Sequence, residues 1–350
     1  MWISEKKLVR KAIIKQFLHS RQYIFTKIAN YSLIWLQEKV FKPARVIGYP
    51  PLLFIDTGNI CSLKCPFCPT GQQAEGRTKG FMPFADFKKI IDEFEPYLLV
   101  ADLYNWGEPF LNKDIFKMID YAHQKGIVSR ISSNLNYFDN EMAKKLVQSK
   151  CDILIVSLDG TSQESCSKYQ VGTDFSKVIR NIQFIRDARG QSKFPLLYWR
   201  FIASKYNEFE IPKAIEMAKS LVDVLEIGDM MPNTTKMLFM DNRDQFNSVK
   251  DWLPIDDKWS MFNYKLKRKK CIANCCSSLY RQSVINWNGS VSPCCALWYE
   301  KYDFGNILKD GFANTWNNEK YRASRRLIFR DEGSGTKTIC NICKANEAIA

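Results

Sequence analysis

Histidine is nearly absent from this 350-residue chain, which has only His19 and His123. Zinc sites built from cysteine and histidine therefore have few ligands to draw on. No run of about 18 apolar residues predicts a membrane span. No apolar segment with a small-residue cleavage site follows the first charged residues, as a signal peptide would require. These absences predict a cytoplasmic protein, in which thiols stay reduced.

Cysteine, by contrast, is abundant, with 12 residues in the chain. In a reducing compartment, clustered cysteines more often bind metals or carry out redox chemistry than form disulfides. Hydrophobic residues make up 46% of the chain and aromatic residues 13%, which is enough to build a folded core. The length allows one large domain with a small one, or two domains of ordinary size.

Positive charge is concentrated at the N-terminus, where residues 1–45 carry ten Lys or Arg and only Glu5 and Glu38 as acids. Apolar residues recur through this segment at helical spacing, which predicts a basic amphipathic helix. Such a helix either packs against the main domain or lies on a membrane surface, bringing the protein to a lipid-linked substrate or partner. We expect no nucleic-acid binding, because no recognition motif accompanies the charge.

After Pro50-Pro51, short apolar runs alternate with helical periodicity, which predicts an α/β fold with parallel strands. The predicted strands are Leu52–Asp56, Leu98–Tyr104, Val128–Ser132, Ile153–Leu158, Leu196–Ala203 and Val224–Ile227. The predicted helices are Phe84–Phe94, Asp114–Gln124, Asn140–Gln148, Asp174–Ala188 and Ile211–Leu221. An eight-fold barrel needs about 250 residues, so we predict a partial (βα)6 TIM-like barrel. A doubly wound sheet is the alternative that fits the same periodicity.

Polar motifs follow four of the predicted strands, at the rim where parallel α/β folds place their active sites. Any one of these short stretches could be a turn or a helix cap, but four at one rim predict a functional site. In strand order they are a loop with three cysteines, Asn105-Trp106-Gly107-Glu108-Pro109, Ser132-Ser133-Asn134 and Ser157-Leu158-Asp159-Gly160.

The cysteine loop reads N-I-C-S-L-K-C-P-F-C-P-T-G from Asn59 to Gly71, with thiols at Cys61, Cys65 and Cys68. A structural zinc site takes four ligands, and neither histidine lies near this loop in sequence. A [4Fe–4S] cluster has four irons and is normally bound by four thiolates. Three thiolates would leave one iron with an open position, where a substrate or cofactor could bind.

This C-x3-C-x2-C spacing, with an aromatic residue before the third cysteine, resembles the radical S-adenosylmethionine (SAM) superfamily over about residues 50–230. The resemblance implies that Cys61, Cys65 and Cys68 bind three irons of a [4Fe–4S] cluster. The methionine amine and carboxylate of SAM would chelate the fourth. It further implies that reduction splits SAM into methionine and a 5′-deoxyadenosyl radical, which abstracts hydrogen from an unactivated carbon.

The same resemblance implies SAM-binding roles at two other motifs. Phe67 occupies the position of an aromatic residue beside adenine. Trp106-Gly107-Glu108-Pro109 resembles the GGEP motif that binds the methionine amine, with Trp106 in place of a glycine and Glu108 as the contact. Ser133 and Asn134 match the positions that contact the ribose and the carboxylate.

The fourth motif, Ser157–Gly160, resembles the SLDG stretch of one branch of the superfamily, which implies roles for Ser157 and Asp159. The arginine that this branch places further along is Gln170 here. Arg200, on the fifth predicted strand, could make the carboxylate contact instead. We therefore include Arg200 among the predicted cofactor-binding residues.

A second group of cysteines follows residues 229–270, which we interpret as a linker. Within this region, Ser283–Trp287 and Gly289–Val291 predict a β-hairpin that turns at Asn288-Gly289. Composition alone allows an all-cysteine zinc site or a second iron–sulfur cluster. The group consists of Cys271, Cys275, Cys276, Cys294, Cys295, Cys340 and Cys343.

The run from Cys276 to Cys294, with the final Cys340-x2-Cys343, resembles the C-terminal extension of SPASM/twitch radical SAM enzymes. It implies a small cysteine-rich β-hairpin/α domain with auxiliary [4Fe–4S] clusters, for which these four cysteines are the predicted ligands. No cysteine follows Cys343, so we predict the twitch arrangement with one auxiliary cluster. Cys275 or Cys295 could replace a neighbour, and Cys271 has no assigned role.

Three domains are thus predicted: a basic helical segment (1–47), a radical SAM partial barrel (48–235), and a linker with the twitch-type domain (236–350). The predicted function is oxidation of a carbinol in a sugar, aminocyclitol or lipid-linked glycan, with an electron passing to the auxiliary cluster. A reducing donor such as flavodoxin or ferredoxin is expected as a partner, and the catalytic base is not assigned.

Two alternatives remain open. One is a radical SAM enzyme that crosslinks, epimerises or forms a thioether in a peptide. If it epimerises, Cys151 and Cys166 are candidate hydrogen donors, although buried thiols more often only pack. The other alternative is an iron–sulfur electron carrier or sensor that performs no SAM chemistry.

Overall fold

A nine-stranded sheet organises the chain from Leu52 to Asn306. The structure, a computed structural model, describes residues 10–12, 14–15, 22–231, 236, 238–270, 276, 278–330 and 335–343. In these ranges the strands are β1 (Leu52–Ile55), β2 (Val100–Asp102), β3 (Val128–Ser133), β4 (Ile153–Ser157), β5 (Leu196–Ala203), β6 (Val224–Asp229), β7 (Phe262–Asn263), β8 (Arg268–Lys269), β9 (Gln282–Ile285), β10 (Ser290–Ser292) and β11 (Gly305–Asn306).

Helices connect the strands of the sheet and cover its outer face. They are α1 (Ile24–Leu36), α2 (Phe84–Phe94), α3 (Ile115–Gln124), α4 (Asn140–Gln148), α5 (Gln163–Tyr169), α6 (Phe175–Arg189), α7 (Ile211–Leu221), α8 (Asn242–Val249), α9 (Ser278–Arg281), α10 (Ile307–Asp310), α11 (Phe312–Trp316), α12 (Glu319–Arg330) and α13 (Ile339–Ile342). Short 3-10 turns occur at Pro109–Leu111, Glu208–Glu210, Asp257–Trp259 and Glu300–Tyr302. None of the described helices is both long enough and apolar enough to cross a bilayer.

The strand order is β11-β10-β9-β1-β2-β3-β4-β5-β6. Strands β1 to β6 are neighbours in chain order and pair in parallel throughout. A doubly wound sheet would reverse its order at a switch point, and this sheet does not. The partial barrel is therefore confirmed. The predicted second strand, Leu98–Tyr104, is shorter than expected, since only Val100–Asp102 pair with both neighbours.

Alternate residues of the barrel strands pack into two separate layers. Inward-facing Val100, Val128 and Ile153 form a cluster inside the barrel, whereas Ala101 and Leu154 belong to the larger core beneath the helices. Both faces are apolar because parallel strands are covered on both sides. The loops at the carboxyl ends of these strands are thereby held on a rigid scaffold.

The N-terminal stretch, helical at residues 10–12 and 14–15, closes the amino end of the barrel. Ala12 is fully buried in the inner cluster. Lys15 forms an ion pair with Asp152, with Nζ 3.0 Å from Oδ1, and Asp152 lies directly before β4. This part of the predicted amphipathic segment therefore packs against the barrel.

Residues 229–270, interpreted from the sequence as a linker, contain more structure than predicted. Helix α8 begins after Asp241, whose side chain accepts a hydrogen bond from the Asp244 amide. Strands β7 and β8 pair antiparallel with each other. These elements are too short and too polar to give a periodic signal in the sequence, but Met230, Val249 and Phe262 bury a small core of their own.

The C-terminal hairpin joins the barrel sheet directly, because β9 pairs in parallel with β1. Its strands β9 and β10 are antiparallel, as predicted. The turn spans residues 286–289, with the Gly289 amide donating to the Asn286 carbonyl, so Asn288-Gly289 form its second half. Gly289 takes φ of 78°, a conformation that glycine adopts without strain.

A buried ion pair fastens the C-terminal domain to the loop that follows the cysteine motif. Both Nη atoms of Arg77 lie 2.9 Å from the carboxylate oxygens of Asp303. The Arg77 side chain is fully buried and that of Asp303 is 6% exposed. The hydroxyls of Ser290 and Ser292 also donate to Asp303. The hairpin end of the sheet and the loop that follows β1 are thus bound together by a buried polar network.

Replacing Arg77 with leucine is expected to lower the free energy of unfolding by about 3–5 kcal/mol, because the buried Asp303 carboxylate loses its charged partner. Urea titration followed by circular dichroism measures this change. The ion pair of Lys219 with Glu216 offers a matched control, since its side chains are 67% and 73% exposed. Lys219→Leu should change stability little; an equal loss in both variants would contradict the assignment.

Candidate active site

The cysteine loop is shaped by its own backbone contacts. The Cys68 amide donates to the Cys65 carbonyl at 3.2 Å, and the Lys64 amide donates to the Val171 carbonyl at 2.9 Å. Gly71 returns so close that an added Cβ would lie 2.7 Å from the Cys65 nitrogen. The chain therefore needs glycine here, and the loop holds its thiols at the mouth of the barrel.

A cavity of about 250 Å³ opens at the carboxyl ends of the strands. It brings together ten of the predicted residues, namely Cys61, Cys65, Cys68, Gly107, Glu108, Ser133, Asn134, Ser157, Asp159 and Arg200. These residues come from the four sequence motifs and from strand β5, which contributes Arg200, as expected for the rim of a parallel barrel. The structure thus places the four sequence motifs around one space.

Glu108 links the second motif to the third. Its carboxylate accepts hydrogen bonds from the Ser133 hydroxyl at 2.7 Å, the Asn134 amide at 2.9 Å and the Phe110 amide at 3.2 Å. Burial raises the pKa of Glu108 to about 7, against the lowering effect of these donors. A carboxylate has about four acceptor positions, so Glu108 can accept one more donor from a ligand.

Gly107 allows the second motif to pass directly over the first. A Cβ at this position would lie 2.0 Å from the Gly58 carbonyl oxygen and 2.9 Å from the Ile60 nitrogen. The Glu108 amide donates to the Ile60 carbonyl at 2.9 Å. The backbone at Gly107 and Glu108 is therefore docked against the residues leading into Cys61, which fixes the position of the acid relative to the cysteine loop.

The fourth motif is held by Gln170, the residue that departs from the family pattern. Its Oε1 accepts from the Asp159 amide at 2.9 Å and its Nε2 donates to the Ser157 carbonyl at 2.8 Å. The Asp159 carboxylate accepts from the Ile202 amide at 2.9 Å. Burial raises the pKa of Asp159 to about 7, opposed by that bond and by Arg200.

Arg200 and Ser157 face the cavity from neighbouring strands. Arg200 lies in register with Ser157 across β4 and β5, and its Nε is 2.9 Å from the Glu226 carboxylate. The hydroxyls of Ser132 and Ser157 are 3.2 Å apart. This wall of the cavity therefore offers hydroxyl and guanidinium groups to a polar ligand.

Phe67 lies outside this cavity, in an adjoining one of about 270 Å³. Its ring centroid is 5.5 Å from that of Trp252 and 6.0 Å from that of Tyr169. The two cavities share Cys68, Asn105, Tyr169 and Ile202. An extended ligand that reaches from the thiols toward Phe67 would contact these shared residues.

Three cavity residues outside the predicted motifs were not identified from the sequence: Tyr104, Tyr169 and Ile202. Leu63, Asn105 and Ser132 belong to predicted motifs but were given no role of their own. Ile202 has the same strand parity as inward-facing Tyr198 of β5, so alternation could have identified it. Tyr104 directly precedes the Asn105–Pro109 motif. Tyr169 gives no comparable signal, because α5 lies outside the barrel strands.

The three thiols of the loop lie close enough to affect one another. Burial raises the pKa of Cys61 to about 11, and Glu108 and Cys68 add to this effect. The pKa of Cys65 is raised further by burial, with Cys68, Asp159 and Cys61 contributing. Metal ligation requires thiolates and releases the thiol protons to solvent, so iron binding would compensate for the raised pKa values of these buried thiols. The donor set fits a cluster bound through three cysteines, for which we propose Cys61, Cys65 and Cys68.

The C-terminal cysteines form a second group near the barrel. The pKa of Cys294 is raised by burial, with Cys295, Cys276 and Cys340 adding to it. Burial raises the pKa of Cys340 to about 12, with Cys276 and Cys343 contributing. Four thiols from three chain segments thus lie in one electrostatic neighbourhood, which fits a four-cysteine cluster. We propose Cys276, Cys294, Cys340 and Cys343 as its ligands.

Cys295 follows Cys294 in the chain and shares its electrostatic neighbourhood. Burial raises the pKa of Cys295 to about 11, with Asp102, on β2, and Cys276 adding to it. Cys295 in turn raises the pKa of Cys294, as do Cys276 and Cys340. We propose Cys294 as the ligand, with Cys295 as the alternative. Cys275 and Cys271 lie outside the described residues.

No three His, Cys, Asp or Glu side chains of the described ranges converge closely enough to bind a single metal ion. A cubane distributes its irons over separate corners, so its thiolates do not converge on one point. This spacing is compatible with the proposed ligand sets.

Substituting Gly107 with alanine is expected to weaken SAM binding by roughly 100-fold, because the Cβ forces the Glu108 segment away from the cysteine loop. Equilibrium dialysis of the reconstituted protein measures the affinity. Gly335→Ala is a suitable control, since a Cβ there meets no atom within 4 Å and the backbone at Gly335 does not lie in the left-handed region. Unchanged SAM affinity in Gly107→Ala would contradict the proposed role of this crossing.

Two family profiles match the chain: "Radical SAM superfamily" over residues 55–200 and the SPASM "Iron-sulfur cluster-binding domain" over residues 275–344. One relative is the tungsten-containing aldehyde ferredoxin oxidoreductase cofactor-modifying protein of Pyrococcus furiosus, 24% identical over 77% of this chain and 81% of that protein. Another is mycofactocin maturase MftC of Mycolicibacterium smegmatis, 23% identical over 76% of this chain and 70% of that protein.

Among solved structures, SuiB of Streptococcus suis bound to S-adenosylmethionine is similar at a TM-score of 0.60 and 16% identity, covering 85% of this chain and 72% of that chain. SuiB bound to precursor peptide SuiA gives 0.62 at 15% identity, covering 89% and 72%. These similarities show the fold. Because both profiles match, and their matches include the two cysteine groups, the chain belongs to the radical SAM superfamily and is an enzyme with a SAM-binding [4Fe–4S] cluster and an auxiliary cluster.

Proposed function

We propose that the enzyme oxidises a carbinol carbon of a small hydroxylated molecule, such as a sugar, an aminocyclitol or the glycan of a lipid-linked substrate. The observation that carries this proposal is the joining of the two cysteine groups by one sheet. Strand β9 pairs with β1, which leads into the Cys61–Cys68 loop, and Cys294 follows β10, the hairpin partner of β9. An electron acceptor in the C-terminal domain would therefore stand beside the barrel.

The polar wall of the cavity supports a hydroxylated substrate. Ser132 and Ser157 offer hydroxyls, and Arg200 offers a guanidinium. Such groups orient hydroxyl-bearing ligands by hydrogen bonds, whereas an apolar substrate would leave them unpaired at a cost. Leu63 and Ile202 supply apolar surface at the same cavity, which keeps water away from the reacting carbon.

The proposed reaction balances as a two-electron oxidation. The bound iron–sulfur clusters and SAM would supply the radical that takes a hydrogen atom and the acceptor that takes an electron. Loss of the carbon-bound hydrogen, the hydroxyl proton and one electron converts the carbinol to a carbonyl. The chain positions the substrate and excludes water, and a donor such as flavodoxin or ferredoxin would return the electron used to split SAM.

Peptide modification is a second candidate, favoured by the relatives. Mycofactocin maturase MftC is among them, and SuiB has been solved with precursor peptide SuiA. Epimerisation receives less support from this chain. Cys151 and Cys166, the candidate hydrogen donors, are buried and are not among the described residues that line the two cavities.

Incubation of the reduced, reconstituted enzyme with SAM is expected to yield 5′-deoxyadenosine. Deuterium from the carbinol position of the substrate should then appear in that product, as mass spectrometry would detect. Libraries of deuterated sugars and aminocyclitols are tested beside deuterated peptides. Deuterium transfer from peptides alone would establish the second candidate, and formation of no 5′-deoxyadenosine would favour an electron carrier.

Replacing Cys276, Cys294, Cys340 and Cys343 together with alanine is expected to lower the iron content by about four atoms per chain. SAM cleavage should persist, but formation of the carbonyl product should cease, because the electron has no acceptor. Cys295→Ala is the matched control and should keep its iron and its product. Iron loss in the control would show that Cys295 is a ligand, and carbonyl formation without the auxiliary cluster would contradict the proposed oxidation.

A further inference from the structure

Helix α1 and the π-helical turn Gln37–Phe41 that continues it bury a mostly polar face and expose an apolar one. The buried side chains are mostly polar, including Lys27, Asn30, Gln37 and Glu38. The outer surface carries large apolar side chains: Phe25 is 85% exposed, Phe41 61% and Val40 58%. We define the apolar face as Phe25, Ile28, Tyr31, Trp35, Leu36, Val40 and Phe41.

Specific hydrogen bonds fix this orientation. Lys27 Nζ donates to the Gly126 carbonyl at 2.8 Å. Asn30 exchanges two bonds with the backbone of Tyr49, at 2.8 and 2.9 Å. Gln37 does the same with Ile47, at 2.7 and 2.8 Å. Because these three buried side chains are hydrogen-bonded, a rotation of the helix that hides the apolar face would break all of these contacts.

The charge around the apolar face is positive. From Tyr23 to Ile47 the only acid is Glu38, and its carboxylate is buried against Arg281 and Lys39. Lys39, Lys42 and Arg45 are exposed at the end of the face. An apolar surface bordered by lysine and arginine is typical of helices that lie in the headgroup region of an anionic bilayer.

We propose that the apolar face is a docking surface for an anionic lipid bilayer. A second copy of the chain is a poorer occupant, because a two-fold contact would bring the same basic residues of both copies together. Helix α1, with 13 residues, is about 20 Å long. The turn Gln37–Phe41 extends it, so Phe25 and Phe41 can enter the interface at opposite ends of one helical segment.

The docking surface lies at the amino ends of the strands. Gly126, the partner of Lys27, precedes β3, and Tyr49, the partner of Asn30, precedes β1. The cysteine loop lies at the carboxyl ends, and the eight-residue β5 separates these ends by about 26 Å. When α1 is docked, the active-site mouth faces away from the lipid. The surface would therefore hold the enzyme at the membrane while a sugar or aminocyclitol arrives from the aqueous side, and of the proposed substrates a lipid-linked glycan fits this orientation least.

Sedimentation with vesicles tests the proposal. The full chain is mixed with vesicles of phosphatidylcholine alone or with about 30% phosphatidylglycerol, a content that gives the surface a negative potential. We expect binding to the anionic vesicles, weakened by 0.5 M salt. Phe25→Ser/Ile28→Ser/Trp35→Ser should reduce it by roughly tenfold or more. Phe25→Ser alone, at a position 85% exposed, repeats the test without risk to folding.

Phe209→Ser/Ile255→Ser is the matched control, because these side chains are 71% and 82% exposed elsewhere on the surface. It should bind vesicles like the unmodified chain, and all variants should keep their iron content and 5′-deoxyadenosine formation. Failure to bind anionic vesicles would overturn the proposal. So would a dimer in light scattering that Phe25→Ser abolishes, since the face would then be an interface between copies.

Discussion

The parallel pairing of β1 with both β2 and β9 is the constraint on which the rest of the structure depends. Its first consequence is that the loop carrying Cys61 leaves the sheet beside the Trp106–Pro109 loop, so Glu108 can reach the residues that end β3. Its second is that the C-terminal hairpin extends the barrel sheet. A parallel neighbour that is distant in sequence thus attaches the auxiliary cysteines to the wall of the active site.

Burial and hydrogen bonding have opposite effects on the pKa values of the two carboxyl groups at the rim of the barrel. Glu108 and Asp159 are taken from water, which raises the pKa of each to about 7, while amide and hydroxyl donors lower it. A cationic ligand would relieve this desolvation, and SAM carries both an amine and a sulfonium. The buried thiols need a metal ion for the same reason, because a bound metal stabilises the thiolate form that burial disfavours. The cofactors of the family would therefore stabilise both groups: SAM the buried carboxylates, and iron the buried thiolates.

Local signals made much of the fold and site predictable. The helices Phe84–Phe94, Asn140–Gln148 and Ile211–Leu221 were predicted with their observed bounds. Ten predicted residues line one cavity, because nine of them end or follow a strand of a parallel barrel and Arg200 lies on β5. The β9–β1 pairing and the Arg77–Asp303 ion pair were missed, since neither leaves a local pattern. Periodicity showed that α1 has two faces, but only the hydrogen bonds of Lys27 and Asn30 reveal which one is buried.

The central claim is that the Cys61–Cys68 loop binds a cluster with one iron left for SAM at the barrel mouth. Electron–nuclear double resonance tests it most directly, on reduced protein that lacks the four C-terminal cysteines and holds SAM labelled with 15N at its amino group. The account predicts a hyperfine coupling between the label and the cluster, which disappears when unlabelled SAM is used. A cluster signal without any 15N coupling would contradict the account.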